Sequence, residues 1–128
     1  DGSICTVHAN SPRDALARLE TMVLMSGVEL PSRAIREQIV SAIDLVIHVR
    51  RYEDGIRRID SIAEVAGLEG LTPLLNNIIE FKRQGRDGRR VQGSFGSTGI
   101  MPRTAEHLRA LGEELSPSLF MSTGSRNA

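Results

Sequence analysis

The sequence has no tryptophan, and aromatic residues of any kind make up only 3% of it. A core must therefore be filled by Leu, Ile, Val, Ala and Met, which suits the stacked aliphatic faces of a layered domain. Cys5 is the single cysteine, which excludes an intrachain disulfide framework and a cysteine-rich metal centre. In its strand-like setting it reads as a small buried hydrophobe. Lys82 is the single lysine among 16 basic residues. That reads either as compositional bias or as a use of arginine's rigid fork for bidentate contacts to carboxylates and phosphates. Charge of one sign is also missing. Sixteen acidic residues cancel the 16 basic ones, so no global field draws in nucleic acid or an anionic membrane.

Longer patterns are absent too. No apolar run reaches the ~18 residues of a membrane span, and no charged-then-apolar leader opens the chain, so a cytoplasmic chain with no transmembrane segment is expected. The three histidines, His8, His48 and His107, show no metal-ligand spacing. The Gly- and Ser-rich stretch Ser94-Phe95-Gly96-Ser97-Thr98-Gly99 lacks the G-x-x-x-x-G-K-S/T pattern that cradles nucleotide phosphates, and reads as a loop. No nucleophile–base pair is legible.

What remains is a 128-residue chain with one domain's worth of alternating elements. Ser3 to Val7 favour a strand through Ile4, Thr6 and Val7. Ser11-Pro12-Arg13-Asp14 is a helix start: Ser11 caps, Pro12 fits the first position, and Asp14 completes a capping-box-like arrangement. Gly27 ends this helix. Pro31 and Ser32 open a second, with Ile35, Ile39, Ala42 and Ile43 on its apolar face. It leads into Leu45-Val46-Ile47-His48-Val49, a run that reads as a strand buried on both faces.

Asp54-Gly55 signals a hairpin turn, with Ile56 to Val65 returning antiparallel. Gly67 to Gly70 reads as a loop. A second hairpin is expected from Asn77–Lys82 and Val91–Phe95 around Arg86-Asp87-Gly88, followed by a helix capped by Thr104. The order is strand, helix, helix, strand, antiparallel hairpins, final helix. A first strand followed by helices suits an α/β domain with a parallel crossover. The expected domain covers 1–120, and 121–128 reads as a disordered polar tail.

His8 carries the chemical interest. In open α/β sheets ligands bind beyond the carboxyl ends of strands, where helix amino termini offer N–H groups to anions. His8, Asn10 and the helix from Pro12 would lie there, with Arg13 in reach. His8 meets a phosphate or its attacking water, or it merely finishes a turn with Asn10; both readings stand. A small phosphoesterase using His8 as base lacks any second residue. His48, inside an apolar run, reads as structural. The pairs Arg50-Arg51 and Arg57-Arg58 flank a turn without interleaved aromatics, so nucleic acid is not expected as a direct partner.

Three stretches carry a family likeness: "VHANSPRDALARLETM", "SRAIREQIVSAIDLVIHVRR", and "IIEFKRQGRDGRRVQGSFGSTGIMPRTAEHLRALG" with "SPSLF" beyond it. In that order they resemble the CpaF/TadA branch of the secretion ATPases, which power Tad/Flp-type pilus assembly and are related to type II and type IV secretion motors. The first block resembles that family's histidine box and the helix after it. The resemblance implies the carboxy-terminal part of a RecA-like P-loop domain, starting beyond the Walker A and Walker B motifs, so that Asp1 falls mid-protein. It assigns His8 to sensing or positioning the γ-phosphate, with Thr6, Asn10 and Arg13 as nucleotide-associated neighbours. It further implies ATP and Mg in the intact parent, with neither bound to these residues alone. The implied partners are the upstream part of the same ATPase, neighbouring subunits of a homo-hexamer, and platform proteins at the cytoplasmic face of the inner membrane. A non-catalytic interaction module derived from such a motor is the alternative.

Overall fold

A computed structural model describes residues 2–122. Of the tail expected to be disordered, all but Met121 and Ser122 lies outside the described residues. Helices α1 (Pro12–Met25) and α2 (Ser32–Ala42) come first. Strands β1 (Leu45–Arg51), β2 (Arg57–Glu69), β3 (Thr72–Asp87) and β4 (Arg90–Ser97) follow, then helix α3 (Arg103–Ala110) and a 3-10 turn, Pro117–Phe120.

The four strands form one sheet in the order β1-β2-β3-β4, and every neighbouring pair is antiparallel. The expected parallel α/β sheet of a RecA-like domain is therefore wrong for this structure. The reason lies in the connections. Parallel neighbours need a crossover of a dozen residues or more, whereas short turns join only antiparallel strands. Here Gly55, Gly70 and Gly88 turn the chain at positive φ of 80°, 61° and 56°, so each strand folds back on the last.

Two other expectations fail for related reasons. Residues 2–9 form no strand, and Ile4 is 99% exposed. β-branched residues favour extended backbone, but a strand also needs a neighbour for its N–H and C=O groups. None of the four strands pairs with this segment, and Cys5 is exposed rather than buried. Likewise β1 is an edge strand, not one buried on both faces: Leu45, Ile47 and Val49 are all exposed. The stretch 67–70 is mostly strand, because a bulge between Val65 and Gly67 lets β2 run on to Glu69.

The helices lie against the sheet, α2 on β2 and α1 on β1 and β3. Ala15, Leu16 and Ile35 from the helices and Ala63, Val65 and Ile78 from the strands form the buried core. Helix α1 behaves as its pattern demands. Ser11 caps α1 through its hydroxyl, which accepts from the Asp14 N–H at 3.0 Å, and Gly27 follows the carboxyl end at φ 80°.

Helix α3 starts differently from the expectation. Thr104 is no cap; Pro102 occupies that position and has no side-chain hydrogen bond to offer. Glu64 of β2 supplies the missing acceptor. Its carboxylate takes the Arg103 N–H at 3.0 Å, the Thr104 N–H at 2.9 Å and the Thr104 hydroxyl at 2.8 Å. Burial alone would raise this carboxyl, but the two backbone donors, the hydroxyl and the Arg103 charge outweigh it and hold Glu64 below its ordinary 4.5. A depressed folded value means that the group stabilises fully above the ordinary value, and the benefit fades as pH falls through the folded one. We therefore expect α3 to detach on acidification below pH ~4.5. Glu64→Gln should show faster amide exchange over 103–110 already at pH 7, with little further change at pH 4. Equal protection of α3 in both proteins at pH 7 would refute this capping role.

Candidate functional site

The amino end of α1 is built from its own residues. The Asp14 carboxylate turns back to accept the Asn10 N–H at 2.8 Å and takes Arg18 Nε at 3.3 Å. The Asn10 N–H, above all, holds the Asp14 carboxyl below its usual range; Arg18 adds to this, and the nearby His8 contributes slightly. Of the first-turn donors, Pro12 has none, Asp14 N–H goes to Ser11 Oγ, and Ala15 N–H goes to the Ser11 carbonyl at 3.0 Å. Only the Arg13 N–H is left without a protein partner among the described residues. A carboxylate thus already sits where a phosphate was expected.

Beside this turn lies an open cleft of about 260 Å³ between α1 and the sheet. Asn10, Ser11 and Pro12 form one wall; His48, Arg50, Asp60 and Glu80 of the strands form the other. Asp60 is the extra residue of a bulge, since Ser61 pairs with His48 while Ile59 pairs with Val49. The bulge turns its carboxylate toward two partners. The Tyr52 hydroxyl donates to one oxygen, and His48 Nδ1 stands 3.3 Å from the other. Burial, and then the bond to Asp60, pushes the Tyr52 hydroxyl up to about 12, so it stays protonated at neutral pH. No hydroxyl or thiol of a Ser, Thr or Cys is hydrogen-bonded to the His48 ring among the described residues. The network can orient a histidine and bind polar groups, but it offers no activated nucleophile.

A second cleft, about 220 Å³, lies across α1 and is lined by Arg13, Glu20, Arg36, Leu71 and Pro73 among others. Arg36 closes its floor, donating to Glu20 at 2.8 Å and to the Leu71 carbonyl at 2.9 Å.

The sequence-selected residues therefore do not converge. Asn10 faces the first cleft, Arg13 the second, and His8 and Thr6 are exposed on the extended segment before α1. Asp60 and Tyr52 escaped the sequence reading, because a bulge that redirects a side chain leaves no mark in strand periodicity. As a site for ATP or Mg these residues do not fit by themselves. The helix start leaves one N–H, that of Arg13, without a partner among the described residues, and no three His, Cys, Asp or Glu gather in metal-ligand geometry there. No described helix is long and apolar enough to cross a membrane.

No family model matches the chain. Two proteins from two strains of Mycobacterium tuberculosis, each bearing the name "Putative conjugal transfer protein", are similar to it. Each is 34% identical over 70 residues, a stretch that covers 55% of this chain and 19% of the relative. The match thus spans less than a fifth of the length of these relatives.

Proposed function

We propose that this chain is a segment of a conjugal-transfer or secretion motor protein and acts only with parts of the protein outside it. The likeness to two conjugal transfer proteins over 70 residues carries the reading. In finer terms, the whole protein is a hexameric ATPase of the CpaF/TadA kind. It would drive Tad/Flp-type pilus assembly or type II/IV secretion at the cytoplasmic face of the inner membrane. ATP and Mg, neighbouring subunits and membrane platform proteins all belong to that whole. The three quoted stretches, "VHANSPRDALARLETM" foremost, support the finer reading.

Within it, His8 is the residue turned toward a nucleotide held elsewhere. Its ring is exposed beside a firmly capped helix, which leaves it open to a group presented from outside the chain. Thr6, Asn10 and Arg13 are its neighbours in sequence and complete the proposed nucleotide-associated set.

The 128-residue chain should show no measurable ATP turnover. With the preceding part of its reading frame restored, His8→Ala should lower steady-state ATPase activity by about tenfold or more, with the melting curve unchanged. Unaltered activity in that variant would remove His8 from the mechanism; steady hydrolysis by the 128 residues alone would overturn the segment reading.

A second reading, a non-catalytic interaction module, gains from one observation. Leu45, Ile47 and Val49 of the edge strand are 43%, 57% and 54% exposed, an apolar row suited to contact. A start codon directly before Asp1, with no G-x-x-x-x-G-K-S/T upstream, would favour it.

A further inference from the structure

The chain's net charge of zero conceals a strong segregation. An antiparallel meander puts the β1–β2 turn and the β3–β4 turn at one end of the sheet, and the β2–β3 turn at the other. Arg50 and Arg51 close β1, and Arg57 and Arg58 open β2. Lys82, Arg83 and Arg86 run along β3, with Arg89 and Arg90 at the turn into β4. Nine of the 16 basic residues thus meet at one end of the sheet, against five acids, Glu53, Asp54, Asp60, Glu80 and Asp87. The ends are physically joined, since Glu53 of the first turn reaches Arg83 at 2.9 Å and Arg86 at 3.6 Å. Arg50 and Arg89 are exposed and have no carboxylate partner among the described residues; Arg57, Lys82 and Arg90 are likewise unpaired but alternate onto the face of the sheet opposite Phe95.

The scarce aromatics gather at this same end. Tyr52 and Phe81 meet edge to face with centroids 5.2 Å apart, and Phe81 and Phe95 lie 5.3 Å apart. Arg58 lies over both Tyr52 and Phe81, at 5.4 and 5.6 Å, and Arg50 over Tyr52 at 5.5 Å. Gly93 lets the Phe81 ring lie against β4, because a Cβ there would stand 2.6 Å from the Lys82 carbonyl oxygen and run into the ring. Phe95, at the end of this aromatic row, is 55% exposed. The ground for expecting no nucleic acid was an even charge balance and arginines without aromatics between them. Tertiary structure removes both.

We propose that this arginine- and phenylalanine-bearing end of the sheet binds single-stranded nucleic acid, with Phe95 as a stacking surface and Arg50, Arg83 and Arg86 of the same face, with Arg89 of the adjoining turn, on the phosphates. An anionic bilayer or an acidic peptide would answer the charge but not the exposed ring among arginines. A polymer that alternates phosphates with flat bases answers both. The contacts named read no base edge, so binding should be tolerant of sequence.

The test is fluorescence anisotropy of the whole chain with a labelled oligothymidylate of about 20 nucleotides, titrated at salt between about 50 and 200 mM. Binding should weaken with salt, with a log–log slope of about −0.7 per phosphate neutralised. Phe95→Ala should weaken binding by about fivefold to a hundredfold with the slope unchanged. Phe95→Leu, which keeps the apolar bulk, should lose nearly as much and melt like the parent. The double variant Arg50→Ala/Arg89→Ala should flatten the slope by about 1.4. Absence of binding at low salt would overturn the proposal. So would equal binding by Phe95→Leu and the parent, or tighter capture of phosphatidylserine vesicles or polyglutamate than of the oligonucleotide.

Discussion

Replacing Asp54 with alanine should cost this protein more stability than any other single substitution at its turns. The residue was legible only as half of an Asp-Gly turn, yet its side chain is 3% exposed and holds together three segments. Both oxygens take the Arg58 guanidinium, at 3.0 and 2.7 Å, and the carboxylate also accepts the Ile56 N–H at 3.1 Å and the Val91 N–H at 2.9 Å. Arg58 itself bonds the Val91 carbonyl at 3.3 Å. The β1–β2 turn is thereby fastened to β4, across the strand between them. Alanine would leave the Arg58 charge without its partner and the buried Val91 N–H without an acceptor.

Asp54→Asn should fall between alanine and the parent, because the amide oxygen can keep one backbone donor but not the ion pair. Thermal melts of the three proteins at pH 7 check the order; a midpoint for the alanine variant equal to the parent's would refute the account. The pH dependence gives a second check. The bond to Arg58, foremost, holds the Asp54 carboxyl well below the usual carboxylate range, against the opposing effect of burial. Its contribution is therefore present above the ordinary aspartate value and is lost as pH falls further. The gap between parent and alanine variant should close steadily below pH ~4.

The second large effect is expected at Ile35, which is only 1% exposed and is the largest fully buried side chain described. It projects from α2, which packs on both α1 and β2, so it ties the helical layer to the sheet. Ile35→Ala should cost about 2–5 kcal/mol through lost transfer energy and the cavity left behind. A domain of this size commands about 5–15 kcal/mol in all, so the loss is a large share. Ile35→Val, one methylene smaller, should cost about 0.5–1.5 kcal/mol. Urea unfolding monitored by circular dichroism measures both, and an alanine variant within about 0.5 kcal/mol of the parent would mean that α2 is not anchored there.

Both predictions bear on function through placement. Asp54 holds the two turns at the arginine-rich end, so the alanine variant should also bind the oligonucleotide less well. Ile35 supports the helical layer at some distance from that end, so its valine variant should bind normally once folded.

The local features were the legible part. Ser11, Pro12, Asp14 and Gly27 announced α1 because caps and glycine stops act within one or two turns of chain. Asp54-Gly55 and Asp87-Gly88 announced two hairpins for the same reason: the residue at the turn must adopt the turn's own backbone. The apolar spacing of Ile35 and Ile39 in α2 was equally plain. In three departures from these expectations the deciding partner is distant in sequence. Ser3–Val7 has strand chemistry but no strand beside it, and Leu45–Val49 has the composition of a central strand but lies at an edge. Thr104 was passed over as a cap because Glu64, 40 residues earlier, supplies the acceptor.

The candidate sites divide in the same way. His8 could be singled out from its junction and its family likeness, and its exposure leaves that role open to a nucleotide bound elsewhere. Asp60 could not, because only a bulge in β2 swings it to His48 and Tyr52. Composition established a chain with few aromatics, one lysine and no net charge. Only the antiparallel meander brought nine basic residues and three of the four aromatic rings to one end, because side chains far apart in sequence become neighbours when strands fold back on one another.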